Sequence, residues 1–120
     1  QYRVLLSDGY KPELNKSDSD RINNIYKYVF ENFSEDISIG EAADICNMNI
    51  SAFSRYFKRR TKKTFSNFVN EIRIGHAKKL LMESDKTVSE IAYECGFENL
   101  SYFNRQFLGI TGMNPVKFRR

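Results

Sequence analysis

Thr87-Val88-Ser89-Glu90-Ile91-Ala92-Tyr93-Glu94-Cys95-Gly96-Phe97-Glu98-Asn99-Leu100-Ser101-Tyr102-Phe103-Asn104-Arg105-Gln106-Phe107 encodes two short helices and the turn between them. Thr87 and Glu90 have the spacing of a capping box, in which the threonine oxygen accepts from the third helical N–H and the glutamate reaches back to the threonine N–H. Val88, Ile91 and Ala92 give this first helix an inward face. Cys95-Gly96-Phe97 turns the chain, and Gly96 can take the positive φ a tight turn demands. Asn99 suits the N-cap of the second helix, whose inner residues are Phe103 and Phe107, one turn apart. Gly112 ends that region. Asn114-Pro115 opens a last short helix, because proline suits the first helical position.

The same pattern occurs upstream at an offset of 49 residues, or 50 beyond the turn. Ser38…Glu41-Ala42-Ala43…Cys46 aligns with Thr87…Glu90-Ile91-Ala92…Cys95, so Ser38 and Glu41 form a second candidate capping box. Ile39, Ala42, Ala43 and Ile45 supply its apolar face, and Asn47-Met48-Asn49 reads as its turn. Past the turn, Asn49, Ser51, Phe53, Arg55, Phe57 and Thr61 align with Asn99, Ser101, Phe103, Arg105, Phe107 and Thr111. Between the copies a longer helix runs from about Thr64 to Met82, with Phe65, Phe68, Val69, Ile72, Ala77, Leu80 and Leu81 along one apolar side. At 1.5 Å per residue it is about 27 Å long. Upstream of both copies, Ile22, Ile25, Tyr26, Val29, Phe30 and Phe33 recur at the spacing of one buried helix face. Residues 1–18 have no sustained period and read as a linker or the remnant of an upstream domain, with a short strand possible at Tyr2–Leu6.

These elements predict an all-α chain of about seven helices. Two helix-turn-helix subdomains, residues 19–63 and 84–120, are joined by a long central linker helix at 64–83. Each unit reads short capped helix, turn, second helix, the plan in which the second helix enters a DNA major groove. The outer faces of those second helices, at about 50–60 and 100–108, decide between this and a plain helical hairpin. Ser51, Ser54, Arg55 and Lys58 share one face of the first, opposite Phe53 and Phe57. Ser101, Asn104 and Arg105 share that face of the second, with Leu100 and Tyr102 near its start. Arginine bonds bidentately to guanine, asparagine to adenine, serine to several bases, and an apolar side chain touches a thymine methyl. Neither helix carries Asp or Glu. Six of the nine residues from Arg55 to Lys63 are basic. Lys58, Arg59, Arg60, Lys62 and Lys63 therefore read as phosphate contacts, giving affinity without sequence information. Tyr102 is a further candidate for the sugar–phosphate backbone. The central helix is long enough to set two such units on neighbouring major grooves, about 34 Å apart.

Length and composition allow one small folded domain or two very small ones. The 120 residues are 41% hydrophobic and 14% aromatic, with only two prolines. Their net charge of +4 is unevenly placed: residues 1–54 hold 5 basic and 9 acidic side chains, and residues 55–120 hold 14 and 6. A basic half with a dense patch points to a polyanion. No apolar run approaches the roughly 20 residues of a membrane helix, and no leader opens the chain. Gln1 in place of methionine suggests a piece of a longer or processed protein. His76, Cys46 and Cys95 lack the spacing of a zinc site, and the cysteines, at equivalent repeat positions, read as small core thiols in a reducing cytosol. His76 reads as a packed or half-exposed residue. With one histidine and no convergent carboxylates, no enzyme is expected, and no cofactor or metal. The competing reading is a nonspecific basic helical module that binds RNA or a protein partner. RNA modules display aromatics for stacking, whereas these phenylalanines fall on inner faces.

The stretch Ile91–Phe107, continued through Thr111-Gly112-Met113-Asn114-Pro115 to Phe118-Arg119, resembles the signature of the C-terminal DNA-binding domain of AraC/XylS-type bacterial transcription regulators. Met48 to Phe57 and the central-helix pattern of Arg73, Ala77, Leu80 and Leu81 resemble the same family, so the likeness covers about residues 20–120. It implies seven helices, binding to double-stranded promoter DNA, contact with RNA polymerase, and a bacterial cytoplasmic, nucleoid-associated location. It also implies an N-terminal effector or dimerisation domain outside this sequence. Carried over by position, the base readers are Ser51, Ser54 and Arg55 in the first unit and Leu100, Ser101, Asn104 and Arg105 in the second. The sequence departs from the family at Leu108-Gly109, where many members have basic residues, which implies a weaker phosphate grip there. Ile50 stands where proline is frequent.

Overall fold

Ile22, Ile25, Tyr26 and Val29 are all buried, as their three-and-four spacing requires of one helix stripe. The computed structural model describes the chain from residue 12 to residue 120, with side chains from Asp18 onward. The first helix, α1, spans Pro12–Asn32. The segment from 12 to 18, expected as linker, is therefore helical, and the expected strand at Tyr2–Leu6 lies outside the described residues. A tertiary contact holds the end of that segment. Asp18 accepts a hydrogen bond from the Tyr56 hydroxyl at 2.9 Å and pairs with Arg60 at 2.5 Å, which ties α1 down upstream of its apolar stripe. Phe30, expected on that stripe, is 42% exposed. It sits about 100° around the helix from Val29. Phe33 lies past the helix end and is half-buried, its ring edge-on to His76 at 5.1 Å.

Six further helices follow among the described residues: α2 (Ile39–Ile45), α3 (Ile50–Thr61), α4 (Phe65–Glu83), α5 (Val88–Glu94), α6 (Leu100–Thr111) and α7 (Pro115–Arg119). No strand occurs among the described residues. Side-chain oxygens of Ser38, Asn49, Thr64, Thr87, Asn99 and Asn114 cap their starts, each satisfying an N–H left without a helical partner. The box at Thr87 and Glu90 is reciprocal, at 3.0 and 2.9 Å. The one expected at Ser38 and Glu41 is only half formed. Ser38 accepts from the Glu41 N–H, but the Glu41 carboxylate takes the Tyr28 hydroxyl at 2.5 Å instead, and Tyr28 oxygen accepts the Ser38 N–H at 3.3 Å. A tyrosine from α1 is thus inserted into the box and fastens α2 to α1. Ile45 is 39% exposed, because Ala42, Ala43 and Cys46 fill the one stripe that so short a helix presents.

The repeat is also a repeat of backbone conformation. Asn47 (φ 57°) and Gly96 (φ 98°) occupy equivalent turn positions, and Lys62 (φ 69°) and Gly112 (φ 84°) equivalent helix ends. Thr61 and Thr111 each donate to the phenylalanine carbonyl four residues back and accept an N–H two residues on. Phe68 of α4 packs tilted against Phe57 at 5.6 Å, and Phe118 of α7 packs edge-on against Phe107 at 5.4 Å. The opening of α4 and the whole of α7 are therefore counterparts.

Two cores result. The first joins α1, α2, α3 and the start of α4 around Phe53, Phe57 and Phe65. The second joins the end of α4 to α5, α6 and α7 around Phe97, Phe103 and Phe107. α4 serves both, on different faces. Phe65, Phe68 and Val69 pack into the first; Ile74, Ala77 and Leu81 pack into the second. From Phe65 to Ile74, and from Phe68 to Ala77, is nine residues, which at about 100° each is half a turn net. The single apolar side expected for this helix is thus two opposed faces, with Ile72 and Leu80 half-buried at their edges. The molecule is elongated accordingly, 48 × 29 × 21 Å.

Candidate nucleic-acid interface

α3 turns Phe53, Tyr56 and Phe57 inward, and helical geometry then sends Ser51, Ser54, Arg55 and Lys58 outward; all four are exposed. α6 buries Phe103 and Phe107 and exposes Ser101, Asn104 and Arg105. Among the described residues no hydrogen bond or ion pair engages Arg55. Arg105 lies over the Tyr102 ring, its guanidinium carbon 5.6 Å from the centroid, a cation–π contact that biases its direction without using its donors. Leu100 is half-buried against the second core. Tyr102 is also half-buried: its ring lies 5.9 Å from that of Phe97 and its hydroxyl accepts from Asn70 at 2.8 Å.

The basic run divides into two groups. Lys58, Arg59 and Lys62 are exposed and without an acidic partner among the described residues. Arg60 is turned toward Asp18, and Lys63 is paired with Glu71 at 2.5 Å. A phosphate would have to compete with those carboxylates. The second unit has no such run, as Leu108 in place of Lys58 already indicates. Besides Arg105, its cations come from beyond α6. A groove of about 640 Å³ between α6 and α7 is flanked by Arg105, Lys117 and Arg120, with Leu108, Pro115 and Val116 on its apolar wall. Lys117 and Arg120 carried no signal in the sequence, because they enter the site only when α7 folds back beside α6.

The groups that would matter to other chemistries are placed differently. Cys46 and Cys95 are buried free thiols. Burial, and then the neighbouring Glu94, push Cys95 up to about 12, so it stays protonated. Among the described residues no cluster of histidine, cysteine and carboxylates suited to a metal occurs. No helix there is long and apolar enough to cross a membrane.

Two capped helical hairpins on one shared helix, each presenting a carboxylate-free second helix to solvent, define a tandem helix-turn-helix DNA-binding domain. A family profile described as "Helix-turn-helix domain" matches residues 42–120. The chain belongs to the AraC-type helix-turn-helix family of transcription regulators. It is 37% identical over 99 residues to an uncharacterized HTH-type transcriptional regulator from the cgkA 5′ region of Pseudoalteromonas carrageenovora, covering 82% of this chain and 58% of that protein. It is 32% identical over 103 residues to the bifunctional transcriptional activator/DNA repair enzyme AdaA of Bacillus subtilis, covering 86% of this chain and 49% of that one. The C-terminal domain of AraT, a response regulator from Geobacillus stearothermophilus, superposes with a TM-score of 0.77 at 26% identity, over 83% of this chain and 84% of that domain. The chain thus spans about half the length of the curated relatives it matches.

Proposed function

We propose that the chain reads two neighbouring major grooves of promoter DNA, with α3 in one and α6 in the next. The observation that carries this is the matched pair of outward faces, Ser51-Ser54-Arg55 and Ser101-Asn104-Arg105, on equivalent helices of a repeat built around one central helix. Arg55 and Arg105 act as bidentate guanine readers, Asn104 pairs with adenine, and Ser51, Ser54 and Ser101 bond to base edges. Leu100, half-buried at the start of α6, reaches a thymine methyl with the exposed part of its side chain. Lys58, Arg59 and Lys62 hold phosphates, with Arg60, Lys63 and Tyr102 contributing where their internal partners yield.

In the whole protein this domain places a regulator on its promoter in the bacterial cytoplasm. RNA polymerase and an N-terminal effector or dimerisation domain are the partners proposed for it. This domain carries out no catalysis; its role is binding. A selection from a random duplex library at near-physiological salt tests the reading. Two short boxes about one helical turn apart support it. A single enriched box would leave one unit as an anchor only. Binding that fades with salt and enriches nothing would leave a nonspecific basic module.

A further inference from the structure

Asn70 is only 5% exposed, in a helix that otherwise buries apolar side chains. It stands near the start of α4, beside residues of the first core, but its angular position matches Ile74 and Ala77, which face the second unit. Its Nδ2 donates to the Tyr102 hydroxyl at 2.8 Å and to Gln106 Oε1 at 3.2 Å. Both acceptors belong to α6, one turn apart. A buried amide is tolerated only when bonded, so α6 is held in one rotation and one register against α4.

Arg73, one turn further along α4, grips the other side of the same junction. Its Nε donates to the Phe33 carbonyl at 2.8 Å and its Nη2 to the Glu35 carbonyl at 3.0 Å, just past the end of α1. Its guanidinium lies 5.8 Å over the ring of Phe97, in the turn that leads into α6. The fit there leaves no slack: a Cβ on Gly96 would stand 2.3 Å from the Phe33 carbonyl oxygen and 2.9 Å from Arg73 Nε. The turn of the second unit is thus seated directly on the first. Gly75, in mid-α4, has nothing within 4 Å of a would-be Cβ, so the shared helix is less stable there than an alanine would make it.

We propose that Asn70 and Arg73 are positioning residues that lock α6 and its turn to the first unit, so that the protein accepts its two DNA boxes at one separation only. The inference rests on the two-groove reading above.

The test uses the chain as it stands with two-box and single-box duplexes. Adding two base pairs between boxes turns one about 70° around the duplex. Wild type is expected to bind the native spacing at least tenfold tighter than that lengthened one. Asn70→Ala and Arg73→Met are expected to lose most of that ratio while binding single boxes within twofold of wild type. Spin labels at exposed Asn24 and Tyr93 are expected to give a narrow distance distribution in wild type and a broad one in both variants. Gln106→Leu removes one acceptor from the lock, and a smaller loss in the same direction is expected if either variant fails to fold. An undiminished spacing ratio in folded variants would overturn the lock while leaving two-groove reading intact. A wild type indifferent to spacing would overturn both.

Discussion

Arg55 and Arg60 stand five residues apart on one helix and differ in what surrounds them. Arg55 has its donors open to solvent, whereas Arg60 spends its own on Asp18. Arg55→Ala is expected to weaken the selected duplex by about 1–3 kcal/mol and relax preference at one base pair, with the melting temperature unchanged. Arg60→Ala is expected to lower the melting temperature by the equivalent of about 1 kcal/mol and leave base preference alone, since a half-exposed pair is worth little more than that. Lys62→Ala should weaken every duplex alike and reduce the salt slope by about 1. Equal loss on all sequences for Arg55→Ala would remove it from the base readers. Protonation also belongs at this scale. Burial holds Cys95 up at about 12 from an ordinary 9.0, and burial together with the Asp18 hydrogen bond raises Tyr56 from 10.0. Both groups keep their protons more tightly when folded, so their contribution is complete below the unfolded value and is lost as pH rises. The urea midpoint is expected to fall between pH 9 and 12, and Cys95→Ala should flatten the decline.

Two glycines and one cap test the elements. Gly96 has φ +98° and a carbonyl oxygen where a Cβ would go, so Gly96→Ala should destabilise by more than about 1–3 kcal/mol, the scale of backbone strain alone. Gly75 has open space, so Gly75→Ala should raise stability by roughly 0.5–1 kcal/mol. Thr87→Ala breaks a reciprocal box and should cost about 1 kcal/mol. Chemical denaturation of the three variants would check the order, and a stabilising Gly96→Ala would contradict the packing described at the turn. Helices, caps and turns were legible in the sequence because each is a local signal: Thr87 with Glu90, Asn99, Asn114 with Pro115. The outward faces of α3 and α6 followed from Phe53, Phe57, Phe103 and Phe107 by helical period. What the local pattern could not reveal is whatever needs two distant segments. Tyr28 enters the Ser38 box from α1, and Asp18 claims Arg60. The opposed faces of α4 hid Ile74 and gave Asn70 and Arg73 no recognisable role. Lys117 and Arg120 join the interface only through the return of α7.

At the scale of the whole molecule, charge is divided between elements and not between the two units. The acidic side chains of the first part lie largely on α1 and α2, whereas every cation of α3 and α6 comes from the basic part. Duplex affinity should therefore be salt-dependent, with non-specific binding more so relative to its strength than specific binding. Measuring the slope for the selected site and for a scrambled duplex checks this; equal affinities at every salt concentration would deny sequence reading by either unit.

The sharing of α4 has one more consequence. Its opening turns close the first unit as α7 closes the second, and its later turns carry the second unit's core. Neither unit can come apart without stripping one face of this helix, and the helix is fully bared only when both have opened. Amide hydrogens buried in the middle of α4 should then exchange with solvent only in the rare event that melts the entire chain, whereas those of α2 and α7 exchange through smaller, independent openings.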